Sequence, residues 1–325
     1  MKLKKIISIF LFITFLGICI INIVIIFHAY NFTHFSSNKQ AKTKAPNSLS
    51  FYQKLKVLAF GVSNPRPNNT AKPTQNYQII NLQSNKNIEC WLIKQANSQG
   101  TVILFHGYGG NKSLMLDKAA IFNDLGYSTL LVDFAGSGGS ESNETTIGFN
   151  ESLQVKTCYD YMQLQGEQNI ILFGTSMGAV AMMKSVSDYN LLPTKLILEC
   201  PFGTMLETVK KRCENMKIPS FPFAHLLVFW GGVINNFNGY SHNPTEYAKK
   251  ITISTLLLYG EKDKNVTKLE INTIFNNLQG QKFLKTYQNA GHENYLIKYK
   301  TTWKSNIHDF LTICKVQNSI KTKIK

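Results

Sequence analysis

Acidic residues are scarce in this chain: 19 Asp and Glu stand against 35 Lys and Arg, for a formal net charge of +16. Such an excess raises nucleic-acid binding as a first question. No nucleic-acid-binding motif is present, and the lysines are scattered along the chain. The charge therefore reads as a basic, soluble surface that leans toward anionic lipid headgroups. Cysteine offers no framework. There are six, without a C-x-x-C pair or metal-type spacing, which leaves no metal or redox motif to follow. Cys19 lies in an apolar N-terminal run. The odd set that remains, Cys90, Cys158, Cys200, Cys213 and Cys314, falls in apolar stretches and reads as buried thiols. There is no internal repeat, no G-x-G-x-x-G opening a helix and no P-loop lysine, so neither common phosphate cradle is at hand. No cofactor or metal is expected, and no nucleic-acid partner.

What is present begins with residues 6–27, almost purely apolar and interrupted only by Ser8, Thr14, Gly17 and Asn22. About 20 such residues cross a bilayer as a helix. A cleavable signal peptide has a shorter apolar region and a small-x-small cleavage site. Here the run is longer and is followed by His28-Ala29-Tyr30-Asn31. Ile18 precedes Cys19 where a lipid-attachment site wants a small residue. An uncleaved single-pass anchor is the expectation. Lys2, Lys4 and Lys5 favour a cytoplasmic N-terminus and a periplasmic or extracellular domain. Lys39, Lys42 and Lys44 on the other flank pull against that orientation.

The expected organisation is an anchor over residues 1–27, a stalk over 28–75 and a folded domain over 76–325. Pro46, Pro65, Pro67 and Pro73 break the stalk. Within it, residues 49–60 have the pattern of a short amphipathic helix that lies on the membrane or on the domain. Beyond Tyr77 strands and helices alternate. Residues 77–83 and 88–94 form a hairpin about Asn85-Lys86-Asn87. Strands follow at 101–106, 127–133, 170–174, 195–199, 252–259 and 282–288. Helices fall at 112–125, 145–165, 177–187, 268–278 and 295–314. Continuous Val/Ile/Leu strands alternating with helices imply an α/β fold: a mostly parallel sheet covered on both faces, with an antiparallel edge. Residues 206–247 separate two strands by more than an ordinary loop. Their aromatics, Phe221, Phe223, Phe229 and Trp230 among them, suggest a cap over an apolar pocket, the alternative being a packing element. The C-terminal lysines Lys315, Lys321, Lys323 and Lys325 read as a frayed, solvated tail.

The motif with chemical content is Gly174-Thr-Ser176-Met-Gly178, a G-x-S-x-G sequence between a strand and a helix. A sharp turn there strains the serine backbone, needs glycines at the flanks and lifts the hydroxyl beside a helix N-terminus. A serine nucleophile needs a base that is itself oriented by an acid. Of the histidines after Ser176, His225 lies in the insertion, His242 precedes Pro244 in a loop, and His308 lies within the last helix. His292 follows the last strand and is the expected base. Asp263, after the penultimate strand, is the expected acid. Glu261 is its local rival and Glu199 a more remote one, and Asp263 could instead cap the next helix. Two N–H donors for an oxyanion are expected from Met177 and from Tyr108 in the loop His106-Gly-Tyr108-Gly-Gly110. His106 is expected to be structural, as is the glycine-rich loop from Asp133 to Ser140.

Taken in order, His106-Gly-Tyr-Gly-Gly, Asp133-x-x-Gly-x-Gly-x-Ser140, Gly-Thr-Ser176-Met-Gly, Gly-Glu-Lys-Asp263 and Gly-His292-Glu resemble the α/β-hydrolase superfamily. The likeness is nearest its serine-aminopeptidase-like and lysophospholipase-like members and a membrane-anchored group that includes depalmitoylases. It covers about residues 76–313. It implies a Ser–Asp–His triad and metal-free hydrolysis of a carboxyl ester, thioester or amide. An apolar cap and an anchor favour an acyl ester or lipid-like substrate. An aminopeptidase-like amide hydrolase and a non-catalytic membrane-tethered binding module are the alternatives.

Overall fold

In the computed structural model of the chain, residues 2–36, 43 and 50–323 are described. Lys39, Lys42, Lys44, Pro46 and Lys325 lie outside the described residues, as do the side chains of Cys314, Lys315, Lys321 and Lys323. The elements begin with α1 (Lys2–Thr33), α2 (Phe51–Phe60), β1 (Gln78–Gln83), β2 (Asn87–Ile93), β3 (Thr101–Phe105), α3 (Leu116–Asp124) and β4 (Ser128–Val132). They continue with α4 (Glu151–Leu164), β5 (Ile170–Thr175), α5 (Met177–Tyr189), β6 (Lys195–Glu199), α6 (Met205–Asn215) and α7 (Phe223–Ile234). The last are α8 (Pro244–Ala248), β7 (Thr255–Gly260), α9 (Lys268–Asn277), β8 (Lys282–Tyr287), α10 (Tyr295–Lys298) and α11 (Lys300–Lys323). Two compact units result. One comprises residues 1–66 with 205–242, the other residues 67–204 with 243–325.

The second unit is built on an eight-stranded sheet in the order β1-β2-β4-β3-β5-β6-β7-β8. β1 and β2 pair antiparallel, β2 joins β4 antiparallel, and every pairing from β4 to β8 is parallel. The central strands are buried along their whole length, as a sheet covered on both faces requires. One face packs Val102, Leu104, Ile171 and Phe173 against Phe122 of α3 and Trp303 of α11. Phe122, Phe173 and Trp303 meet edge to face with centroids 5.8–6.2 Å apart. All parallel strands point their C-terminal ends the same way, and in such sheets ligand sites gather there.

Several boundaries move. The helix expected from residue 145 starts at Glu151. The buried Glu151 carboxylate accepts from Thr145 Oγ1 (2.6 Å), Thr146 N (2.9 Å) and Gly148 N (3.0 Å), and this holds the preceding residues in a turn. β7 starts at Thr255, three residues late. The helix expected over 295–314 is two helices, and the second continues to Lys323, so the tail backbone is helical rather than frayed. Residues 67–75, part of the expected stalk, group with the sheet unit. Asn68 and Thr70 already belong to the sheet unit, with Asn111 Nδ2 donating to Asn68 O (2.9 Å) and Thr70 N to Ser113 Oγ (3.2 Å).

Among the described residues, the helices of the first unit are joined by short loops and one isolated bridge, Ser36 to Pro65. α1 runs six residues past the expected end of the apolar run, to Thr33. Leu3 to Leu16 are exposed all round, and from Asn22 onward one side is covered, burying Ile25 and Ala29. α7 supplies most of that cover, and α2 the rest. α2 is opened by a capping box of Ser50 and Gln53 and closed by Gly61 at φ +81°. It packs Phe60 edge-on against Phe27 at 6.1 Å and accepts from His28 at Leu58 O (2.8 Å). The amphipathic segment expected at 49–60 is thus helical from Phe51 and lies against α1, Leu49 lying outside the described residues. The insertion expected at 206–247 supplies α6, α7 and a 3-10 turn (Gly239–Ser241).

Candidate active site

Ser176 stands between β5 and α5 with φ 52° and ψ −113°, a left-handed-side conformation that a serine adopts only when its surroundings impose it. The imposition is visible at its flanks. A Cβ on Gly178 would sit 2.4 Å from Phe105 O, and one on Gly174 would sit 2.6 Å from Ala179 N. Strand and helix approach so closely that only glycine fits at either position. Ser176 N donates to Glu199 O (2.7 Å), which ties the turn to the end of β6.

Four loops at the C-terminal strand ends converge on this serine. His292, five residues beyond β8, has Nε2 3.0 Å from Ser176 Oγ. Its Nδ1 lies 2.7 Å from Asp263 Oδ2, three residues beyond β7. The other Asp263 oxygen accepts from the backbone of Asn265 (2.7 Å) and Val266 (3.0 Å). It thereby closes the turn before α9, whose own cap is Thr267. The carboxylate accepts from the histidine and shapes its own loop at once. The loop after β3 brings Gly107 alongside: a Cβ there would lie 3.6 Å from Ser176 Cβ. Tyr108 follows in that loop, and Met177 opens α5.

The rival acids stand elsewhere. Glu199 is fully buried and accepts from Trp303 Nε1 (3.1 Å) and Thr175 Oγ1 (3.4 Å), with Lys118 Nζ at 3.6 Å. Glu261 is exposed. Of the other histidines, His225 is in α7, His242 is buried ahead of α8, and His308 is exposed on α11. His106 is buried, and its pKa is lowered by desolvation against the pull of Asp133. Its Nε2 accepts from Phe134 N (3.1 Å), which leaves the proton on Nδ1 to bond Gly107 O (2.8 Å). It braces the loop between β3 and Ser176. The glycine-rich loop after β4 is structural too. Asp133 accepts from Lys112 N (2.7 Å), Gly139 N (2.9 Å), Asn69 Nδ2 (2.8 Å) and the buried Lys112 ammonium, which also reaches Glu89 at 2.6 Å.

One residue at the site escaped the sequence reading. Cys200, grouped there with the buried thiols, ends β6 in a left-handed turn at φ 44°. Its sulfur, an Asp263 oxygen and an imidazole nitrogen of His292 lie within 4.8 Å of one another. Those three could hold a thiophilic cation only by drawing His292 from its present partners. The His292 pKa is raised to about 11, with Cys200 as the largest cause, desolvation acting against it and Asp263 adding to it. The signal for Cys200 was its position, since every other chemically active group also follows a strand end.

Comparison with known proteins agrees with this architecture. A family model described as serine aminopeptidase, S33 (Hydrolase_4) matches residues 96–230. An esterase of Pyrococcus furiosus has a TM-score of 0.65 at 22% identity, covering 76% of this chain and 96% of its own. The chain has the α/β-hydrolase fold. An esterase of Exiguobacterium antarcticum shares the fold with this chain at a TM-score of 0.54 and 18% identity, covering 72% of this chain and 100% of that one. Among curated sequences, the uncharacterized protein YqkD of Bacillus subtilis is 23% identical over 66% of this chain and 72% of its own length. An uncharacterized protein of Mycobacterium tuberculosis is 24% identical over 54% of this chain, and the match spans 62% of that protein.

Proposed function

We propose that this α/β hydrolase is a membrane-tethered serine hydrolase that cleaves a carboxyl ester, thioester or amide through an acyl-enzyme on Ser176. The reading is carried by one observation, the unbroken relay Ser176 Oγ, His292 and Asp263 at 3.0 and 2.7 Å. His292 Nε2 takes the hydroxyl proton as Ser176 attacks the acyl carbonyl. Asp263 holds Nδ1 protonated and stabilises the imidazolium that forms. The N–H groups of Met177, at the positive end of α5, and of Tyr108 bind the oxyanion. His292 returns the proton to the leaving group, and water attacks the acyl-enzyme by the same route in reverse.

The apolar α7 and the long apolar α1 favour an acyl ester or lipid-like substrate. The α1 segment is long and apolar enough to cross a membrane. Lys2, Lys4 and Lys5 favour a cytoplasmic N-terminus and a catalytic unit on the outer side, with Lys39, Lys42 and Lys44 pulling against that orientation. The serine-aminopeptidase description of the matching model supports amide cleavage as the second reading. A fluorophosphonate probe tests the nucleophile. Wild type is labelled and Ser176→Ala is not; a folded wild type that takes no label returns the chain to a binding role. Hydrolysis rates on acyl esters of graded length, thioesters and aminoacyl anilides then rank the substrate classes.

A further inference from the structure

α1 is too long for its task. Its 32 residues rise about 48 Å, while the hydrocarbon core of a bilayer is about 30 Å thick. The charge-free stretch that fits such a core runs from Ile6 to Phe27. Only the first part of that stretch, to Leu16, is exposed all round. The rest has α7 along its side, and the two helices are joined by a hydrogen bond from Trp230 Nε1 to Asn22 Oδ1 at 2.9 Å. Asn22 lies five residues inside Phe27, or about 7–8 Å below that edge of the apolar stretch. Trp230 is therefore at the same depth.

The neighbouring helix marks a second depth. Arg212 of α6 sets its guanidinium over the ring of Phe32 at 4.5 Å. Phe32 is five residues beyond Phe27, about 7–8 Å on the headgroup side. The composition of the two helices fits these levels. α6 carries Lys210, Lys211 and Arg212 beside Glu207 and Glu214, which pair with Lys210 (2.8 Å) and Lys211 (3.1 Å), and Lys217 follows it exposed to solvent. α7 carries no charged residue, its only ionisable group being His225. Yet α7 does not hide its apolar surface: Phe229 and Val233 are about half exposed, and Phe221 just ahead of it is 75% exposed. Phe229 and Val233 line an open groove with Val228, Phe237 and Tyr240. An apolar helix under a charged one that sets Arg212 toward α1, at these depths, is the arrangement of an interfacial membrane element, whose apolar face enters the headgroup and acyl boundary by about 5–10 Å.

We propose that α7 is embedded in the lipid bilayer beside α1, held by the Asn22–Trp230 hydrogen bond, with the α6 cations at the level of anionic phospholipid headgroups. The inference rests on the reading of α1 as an anchor and adds that the inserted helices share its membrane. A hydrogen bond between two polar side chains inside the bilayer gives α7 a fixed place on α1, since leaving either group unpaired in hydrocarbon is unfavourable. Arg212 and Lys217 gain from an anionic surface in the same position.

The full chain, reconstituted in phosphatidylcholine and phosphatidylglycerol vesicles, tests this through its own fluorophore. Trp91 and Trp303 are buried in the sheet unit, so the difference between wild type and Trp230→Phe isolates Trp230 emission. Phosphatidylcholine brominated on its acyl chains is expected to quench most of that difference, and Asn22→Leu to weaken the quenching. Flotation on a density gradient reports the anchor separately. A chain that floats while its Trp230 emission is unquenched overturns the inference and leaves the anchor standing. A chain that does not float overturns both. Fluorophosphonate labelling of each variant verifies that the fold is kept.

Discussion

Replacing Cys200 with alanine is expected to shift the acid limb of the pH–rate profile toward lower pH. The base must be neutral to accept the Ser176 proton, so activity rises as pH climbs through the His292 pKa. That pKa is raised from 6.5 to about 11, with Cys200 as the largest cause and Asp263 as the second partner. A single opposite charge at this range moves a neighbour by about 1–3 units. Removing the sulfur leaves Asp263 in place, so the limb moves down by about that amount, and each unit is a tenfold gain in rate at a fixed pH on the limb. The measurement is kcat/KM against pH with an activated ester, which reports the free enzyme. Cys200→Ser separates charge from hydrogen bonding, because a hydroxyl keeps the contact and does not ionise. It is expected to follow the alanine variant. Coincident limbs for wild type and Cys200→Ala, with both folded, would show that the sulfur stays protonated and refute the electrostatic reasoning. A limb restored by serine would assign the effect to the hydrogen bond.

Asp263→Asn keeps the shape of the loop but offers Nδ1 the wrong partner, and kcat is expected to fall by about four orders of magnitude with the melting temperature little changed. Asp133→Ala strands a lysine whose side chain is fully buried, leaving it Glu89 alone, and a loss of about 3–5 kcal/mol is expected in denaturant unfolding. The Asp133 pKa is lowered: desolvation alone would raise it, and Lys112 with His106 outweighs that. A carboxylate depressed in the folded state contributes its stability above its unfolded pKa, and the contribution is lost as pH falls through the folded value. The wild type is therefore expected to lose stability at acid pH more steeply than Asp133→Ala in matched titrations. Gly178→Ala drives a methyl into Phe105 O, and about 1–3 kcal/mol of destabilisation with reduced fluorophosphonate labelling is expected.

The parts of this molecule that were legible in its sequence are those where local chemistry is forced. Gly174 and Gly178 are required by close approach of backbone to backbone, so the serine turn leaves a fixed signature. Asp263 was expected from its place just past the continuous apolar run of β7, and His292 from chain order after β8, whose Lys282-Phe-Leu-Lys-Thr-Tyr287 is only partly apolar. The start of α4 was missed because Thr145 to Asn150 continue a helical apolar spacing, and only a tertiary fact, a buried Glu151 carboxylate gathering N–H groups, turns them aside. Cys200 was missed because nothing local marks a cysteine for a left-handed turn. The Lys112–Asp133–Glu89 cluster and the Asn22–Trp230 bond join residues far apart in the chain, and neither partner alone differs from an ordinary surface lysine or core tryptophan.

The helical unit is assembled from two stretches that are synthesised far apart in time. Asn22 and Trp230 are separated by 208 residues, so at a typical 5–20 residues per second α1 waits about 10–40 s for the helix that covers it. Throughout that interval the side of α1 that α7 covers is bare. Asn22 keeps its bond from Nδ2 to Ile18 O (2.9 Å), while its Oδ1 waits for Trp230. Completion of α7 supplies that partner, so the helical unit reaches its final form only after the sheet unit's first strands have been made.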